Sequence, residues 1–300
     1  MFETAAAAAL AGQSILSLYP IAVKTIDASI FSQMLVRFAV FPLIAFLLGG
    51  VGSLAATWGS LSAAAISIGL GLMNVLHIYS SYVAFDELQA GLSMSIFYIY
   101  PILGIIGARI FFGERLHAWM FPFFALALIA TYIIASAAPE TVVYEKKATM
   151  AGQQPSQNSL RGIIAALISA LTEAGTYIAV RASPTDDPYA NIQRIYLGGL
   201  LALLVAMPFI KSKLDLTVAT TWQLGLFNGL IGFVGYALLY WSARFLPAYA
   251  YAIMAFVGVA TAYVFGAAFV GETPNGKAVG GAALLLASVS AVQVLAGKAV

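Results

Sequence analysis

Ile21-Ala22-Val23-Lys24 closes an apolar run near the start of the chain, and Ile178-Ala179-Val180-Arg181 closes another, 157 positions later. The same spacing carries Arg37 onto Arg194. A spacing one residue longer carries Tyr82, Leu88 and Ala90 onto Tyr240, Leu246 and Ala248, and Gly113-Glu114 onto Gly271-Glu272. Any one match is cheap in a chain rich in Ala, Leu and Gly. A common offset at a common place relative to the apolar runs reads as an internal repeat.

Between those marks lie apolar runs of about 20 residues, the length that crosses a bilayer core. They cover residues 4–23, 30–49, 61–84, 90–112, 118–137, 160–180, 189–210, 218–243, 248–270 and 277–296, separated by short turns with charged residues. The first run has no Lys or Arg ahead of it and is too long for a secretory signal, so it reads as a span. The one long separator, residues 139–159, carries Glu145, Lys146, Lys147 and Pro155 with no apolar stripe and reads as a surface linker. Residues 1–138 and 160–300 then hold five spans each. An odd number of crossings makes the second half enter the membrane from the opposite side. The expected fold class is an all-α integral membrane protein of ten transmembrane helices, arranged as two inverted five-helix repeats.

Composition agrees. The chain is 62% hydrophobic and 9% charged, with a mean hydropathy of +0.94, against roughly 25% charged in soluble domains. Basic and acidic residues number 14 and 12, with no basic tract to follow a phosphate backbone, so nucleic acid is not an expected partner. With no cysteine and only His77 and His117, far apart, neither a metal nor a cofactor is expected. No Walker sequence and no protease constellation is present, which argues against an ATP-driven pump and against an enzyme.

Residues 101–116, from Pro101 through Gly104 and Ala108 to Phe111-Phe112-Gly113-Glu114-Arg115-Leu116, resemble the end of the fourth span in the drug/metabolite transporter superfamily, in its EamA-like branch. Pro247 to Thr273, with Phe269-Val270-Gly271-Glu272, resembles the second copy, although Val259 stands where the first copy has Pro101. The resemblance implies a secondary transporter of the cell membrane with both termini in the cytoplasm. The Lys/Arg distribution leans the other way, with six on that side and eight opposite.

Ionisable groups in a membrane span face the bundle interior or a wet cavity. Glu173 lies near the middle of the sixth run, with Ser169 and Thr176 on the same helical face. It is the candidate proton-coupling and substrate-binding residue. Asn74, His77 and Ser81 form a polar stripe on the third run, weakly echoed by Asn228 and Tyr236 on the eighth. Tyr98 and Tyr100 on the fourth run, Tyr177 on the sixth, and Tyr236 and Tyr240 on the eighth could line a pocket with hydroxyl donors and stacking surface. Arg37 and Arg194 are candidates for an anionic group such as a carboxylate, but the favoured reading is structural, by snorkelling or by pairing with Asp27 and with Asp186 or Asp187; Glu114 and Glu272 read as caps or gates at span ends. The expected function is alternating-access transport of a small organic metabolite, an amino acid or a related polar compound, with protons as the candidate coupling ion. Export of lipophilic or aromatic cations is the alternative, and a channel or structural membrane subunit the alternative from another class. The expected partners are the substrate and the lipid bilayer, with a monomer favoured.

Overall fold

A computed structural model describes residues 1–114, 118–136, 160–209, 214–273 and 276–296. Within them the chain is helical, with no strand. The rods are α1 (Phe2–Thr25), α2 (Ile30–Trp58), α3 (Leu61–Glu87), α4 (Ala90–Phe112), α5 (Met120–Ala135), α6 (Leu160–Arg181), α7 (Pro188–Phe209), α8 (Val218–Phe245), α9 (Ala248–Ala255 continued by Val257–Val270) and α10 (Gly276–Ala296). Eight are long and apolar enough to cross a membrane; Met120–Ile134 of α5 and Gly276–Ser288 of α10 are shorter apolar stretches. The expected linker and His117 lie outside the described residues.

Local chemistry sets the boundaries. Ser29, Ser60 and Thr217 each accept a backbone N–H at a helix start, with a full capping box at Thr217 and Thr220. Gly113 and Gly271 end α4 and α9 in the left-handed conformation, φ 69° and 67°, which glycine adopts without a Cβ clash. Two rods break where proline removes a donor: α1 ahead of Pro20 and α4 at Tyr98-Ile99, ahead of Pro101. The α9 rod breaks at Phe256, the position equivalent to Tyr98, with no proline there. Gly258, two residues on, weakens the helix there and leaves room for the Tyr98 hydroxyl, which a Cβ would meet. The two breaks touch, with the Tyr98 and Phe256 ring centroids 6.0 Å apart. Gln193–Leu197 of α7 and Phe227–Phe233 of α8 wind as π-helix, a local underwinding frequent at functional sites.

The bundle is inside-out relative to a soluble protein. Leu47, Ile110, Leu171, Val205 and Leu230 lie exposed on its outer faces, while Gln13, Arg37, His77 and Glu173 are buried. The α1 rod packs on α8, α3 on α6 and α5 on α10, and each half of α4 packs on the opposite half of α9. Small residues let backbones approach. A Cβ on Gly198 of α7 would collide with the Ser67 carbonyl of α3, and one on Gly71 with the backbone of Gly198 and Gly199. Backbone cannot swing away as a side-chain end can. Gly198→Ala is therefore expected to lower stability by about 3 kcal/mol, the upper end of overpacking penalties, read as a fall in the melting temperature of the detergent-purified protein. An unchanged melting temperature would rule out this backbone contact.

Candidate functional site

Six helices direct polar side chains to one small chamber in the core. Gln13 and Tyr19 reach it from α1, Arg37 from α2, His77 and Ser81 from α3, Tyr98 and Tyr100 from α4, Glu173 from α6 and Tyr236 from α8. The space is about 30 Å³, room for a water but not for a metabolite, so the chamber is closed. A larger groove of about 640 Å³ runs outside, between α2, α7 and α8, lined by residues such as Ile44, Leu48, Leu230 and Trp241. It is open-sided, and among the described residues no carboxylate, imidazole, ammonium or guanidinium lines it. Size favours the groove and chemistry the chamber; a polar metabolite needs the chemistry.

Two clusters make up the chamber wall. On one side, His77 Nε2 lies 3.3 Å from Glu173 Oε2, and His77 Nδ1 lies 3.1 Å from the Ser169 carbonyl oxygen. On the other, Arg37 sits in an aromatic cage. Its Nη2 donates to the Tyr196 hydroxyl at 2.9 Å and its Nη1 to the Tyr82 hydroxyl at 3.4 Å. Its guanidinium carbon lies 4.3 Å from the Tyr19 ring centre and 4.9 Å from that of Tyr236. The negative faces of those rings replace part of the hydration a buried cation loses. Gln13 holds the broken turn of α4: its Nε2 donates to the Tyr100 hydroxyl and its Oε1 accepts from the Tyr98 hydroxyl, both at 2.7 Å.

Of the residues expected to bind substrate, Glu173, His77, Ser81, Tyr98 and Tyr236 line the chamber together. The others lie off its wall. Asn74 is buried, with its Nδ2 lacking a partner among the described residues. Tyr177 accepts from Arg181 at 3.1 Å and stacks on Tyr251. Asn228 accepts from the Tyr19 hydroxyl at 2.9 Å, one layer behind the cage, and Tyr240 packs edge-on against Tyr236. Arg37 is a correction: it neither snorkels nor pairs with Asp27, because two turns into α2 its side chain points at the phenols of the core. Arg194 is another. Asp186 is taken by Arg244 Nε at 2.7 Å and Asp187 caps the N–H of Tyr189, leaving Arg194 buried with an unpartnered Nε. Tyr100, also expected to line a pocket, does so; sequence reasoning missed Gln13, Tyr19 and Tyr196. Gln13 had a visible signal, a lone amide within an alanine-rich run.

The Gly-Glu pairs tie the two halves of the chain. Lys24 Nζ, closing α1, lies 2.5 Å from Glu272 Oε1, after α9; Glu272 Oε2 also accepts from the first N–H of α4, at Ala90, at 2.8 Å. Arg181, closing α6, pairs with Glu114, after the far end of α4. The two ties therefore sit at opposite ends of α4. The first is dry, with side chains 3% and 4% exposed, and the second wetter, at 19% and 27%.

A multi-helix apolar bundle with a closed polar centre is what a membrane carrier requires, and the EamA-like transporter family matches residues 160–293. The second half of the chain is therefore similar to the EamA-like transporter family. The match and the apolar helices point to a multi-pass membrane transporter of the drug/metabolite type. No curated protein matches the sequence. A crystal structure of another protein superposes with a TM-score of 0.66 over 98% of this chain and 96% of that one, at 16% identity, a likeness of fold alone.

Proposed function

We propose that this EamA-like chain moves an amino acid or a related zwitterionic metabolite across the cell membrane by alternating access. The observation that carries the reading is the closed chamber, which sets a carboxylate, Glu173, across from a buried guanidinium, Arg37. An α-amino acid presents the complementary charges. Arg37 Nε has no partner among the described residues, and a guanidinium with an unused N–H suits a carboxylate. The ammonium would go to Glu173. The aromatic wall also suits an aromatic or lipophilic cation, which is the second reading.

Alternating access needs two halves that exchange conformations. The reading of ten spans in two inverted repeats, residues 1–138 and 160–300, is supported by how the helices pair. Exchanging each rod with the one five places on turns the α1–α8 contact into α6–α3, returns α5–α10 to itself, and swaps the two α4–α9 contacts. The touching breaks at Tyr98 and Phe256 mark the centre of that exchange. In this scheme the Lys24–Glu272 and Arg181–Glu114 ties act as gates on opposite sides of the membrane, the termini are cytoplasmic, and the chain works as a monomer. Labelling of single cysteines is expected to place residues 139–159 on the face opposite both termini. Finding linker and termini on one face would break the five-plus-five scheme.

A thermal-shift screen of the purified protein tests the substrate class. A ligand at a hundred times its Kd stabilises the folded state by about 2.7 kcal/mol. Stabilisation by amino acids and not by tetraphenylphosphonium supports the first reading, and the reverse supports the second. Counterflow in proteoliposomes, which a channel cannot produce, distinguishes a carrier from a channel or structural subunit.

A further inference from the structure

The hydrogens around His77 can be accounted for one at a time. Ser81 Oγ donates to the His77 carbonyl at 2.7 Å, which uses its only hydrogen and leaves it to accept from Ser169 Oγ at 2.6 Å. That uses the Ser169 hydrogen. Thr172 Oγ1 donates to the Ile168 carbonyl at 2.8 Å, using its own. A hydroxyl has one hydrogen to give, so His77 Nδ1 faces acceptors alone: the Ser169 carbonyl at 3.1 Å and the two hydroxyl oxygens at 3.3 Å. With the Ser81 and Thr172 hydrogens assigned to carbonyl acceptors, Nδ1 carries a hydrogen. In a neutral imidazole Nε2 is then a bare acceptor. Yet Nε2 lies 3.3 Å from Glu173 Oε2, a second acceptor with no donor of its own. Two lone pairs meet unless a proton lies between them.

We infer that His77 and Glu173 together store one proton between Nε2 and Oε2, and that a substrate cation entering the chamber displaces it. The pair, not Glu173 alone, is the coupling site. This rests on the reading of the chamber as the transport site. With the proton on either partner the pair is neutral overall. When the proton leaves to water on the open side, Glu173 is an anion beside a neutral His77, and the incoming ammonium restores the balance with no other atom changing hands. One positive charge is exchanged for another, so binding and proton release are linked.

The surroundings narrow the source of an exchangeable proton. On α3 and α6 themselves the neighbours are hydroxyls, and the Phe97 ring lies 5.9 Å from the imidazole. Arg37 faces the pair from α2. The remaining titratable groups within reach are phenols: Tyr98 and Tyr100 on α4, Tyr196 on α7, Tyr236 and Tyr240 on α8, and Tyr251 on α9. A phenol ionises near pH ~10 and a guanidinium keeps its charge. Near neutrality only the His77–Glu173 pair has a proton to exchange.

The chain has two histidines, so His117→Asn leaves a single imidazole for nitrogen NMR of detergent-purified protein labelled with 15N-histidine. The expected spectrum shows Nδ1 protonated from acid to alkaline pH, and Nε2 shifting in one titration that Glu173→Gln abolishes. A bare Nδ1 with hydrogen on Nε2 would overturn the shared proton, since an ordinary N–H donated to a carboxylate then explains the contact. Should Glu173→Gln fail to fold, the tautomer in the parent decides alone. In weakly buffered solution, L-phenylalanine or tetraphenylphosphonium, whichever raises the melting temperature, is expected to release about one proton per chain bound; binding without release overturns the exchange. If neither binds, the substrate reading fails and the imidazole spectrum still decides the store.

Discussion

Glu173→Gln is expected to fold as the parent does and to lose pH-driven accumulation of solute, while passive exchange stays measurable. A charge at a span centre costs about 2.5–3.5 kcal/mol on insertion scales, and a carboxylate retained there is one that spends part of its cycle neutral. Glutamine has the same shape, and its amide N–H can fill the 3.3 Å contact with His77 Nε2, so the variant imitates the proton-loaded state permanently. A transporter locked in that state offers the ammonium no anion, so it binds solute more weakly, exchanges it slowly down its own gradient, and cannot convert a proton gradient into accumulation. Reconstituted vesicles with an imposed pH difference separate the two. Weaker substrate binding at every pH is expected alongside, because the ammonium loses its carboxylate. Normal accumulation with unaltered affinity and pH profile would make it a structural residue.

What the sequence disclosed here follows from what periodicity can carry. The spacing of Asn74, His77 and Ser81 identified a polar face of α3, and His77 and Ser81 do line the chamber. Periodicity within one helix cannot name the neighbour it meets, so the partnership of His77 with Glu173 was invisible. Arg37 was misread for the same reason. Its depth in the second span permits a snorkelled path on paper, and the cage that draws it inward is assembled from Tyr19, Tyr82, Tyr196 and Tyr236, on four separate helices. Tyr196 reaches that cage on the π-helical turn Gln193–Leu197, and no residue preference announces a π turn. A repeat, by contrast, is a statement about order along the chain, which a sequence can carry. Lys24 matches Arg181 by offset and Glu114 matches Glu272, and the four meet crosswise in space, Lys24 with Glu272 and Arg181 with Glu114.

Those partners differ in their water exposure, and the second large effect follows from the difference. Lys24→Met is expected to destabilise the protein by about 3–5 kcal/mol, because removing one member of a dry ion pair leaves a buried charge uncompensated. The value should fall toward the lower end, since Glu272 keeps the N–H of Ala90 and the start of α4. Arg181→Met breaks the equivalent tie at the far end of α4, where both side chains reach solvent. Water and salt screen such a pair, and its loss is expected to cost no more than about 1 kcal/mol. Unfolding in detergent compares the two directly, and Lys24→Met with Glu272→Gln in one chain should recover most of the loss, because no buried charge is left. Equal costs at the two ends would mean that the dry tie contributes no more than the wet one. The same asymmetry bears on the cycle: a carrier closed by the stronger tie must spend more free energy to open that end. Lys24→Met should therefore speed passive exchange more than Arg181→Met does, in vesicles loaded with equal amounts of folded protein.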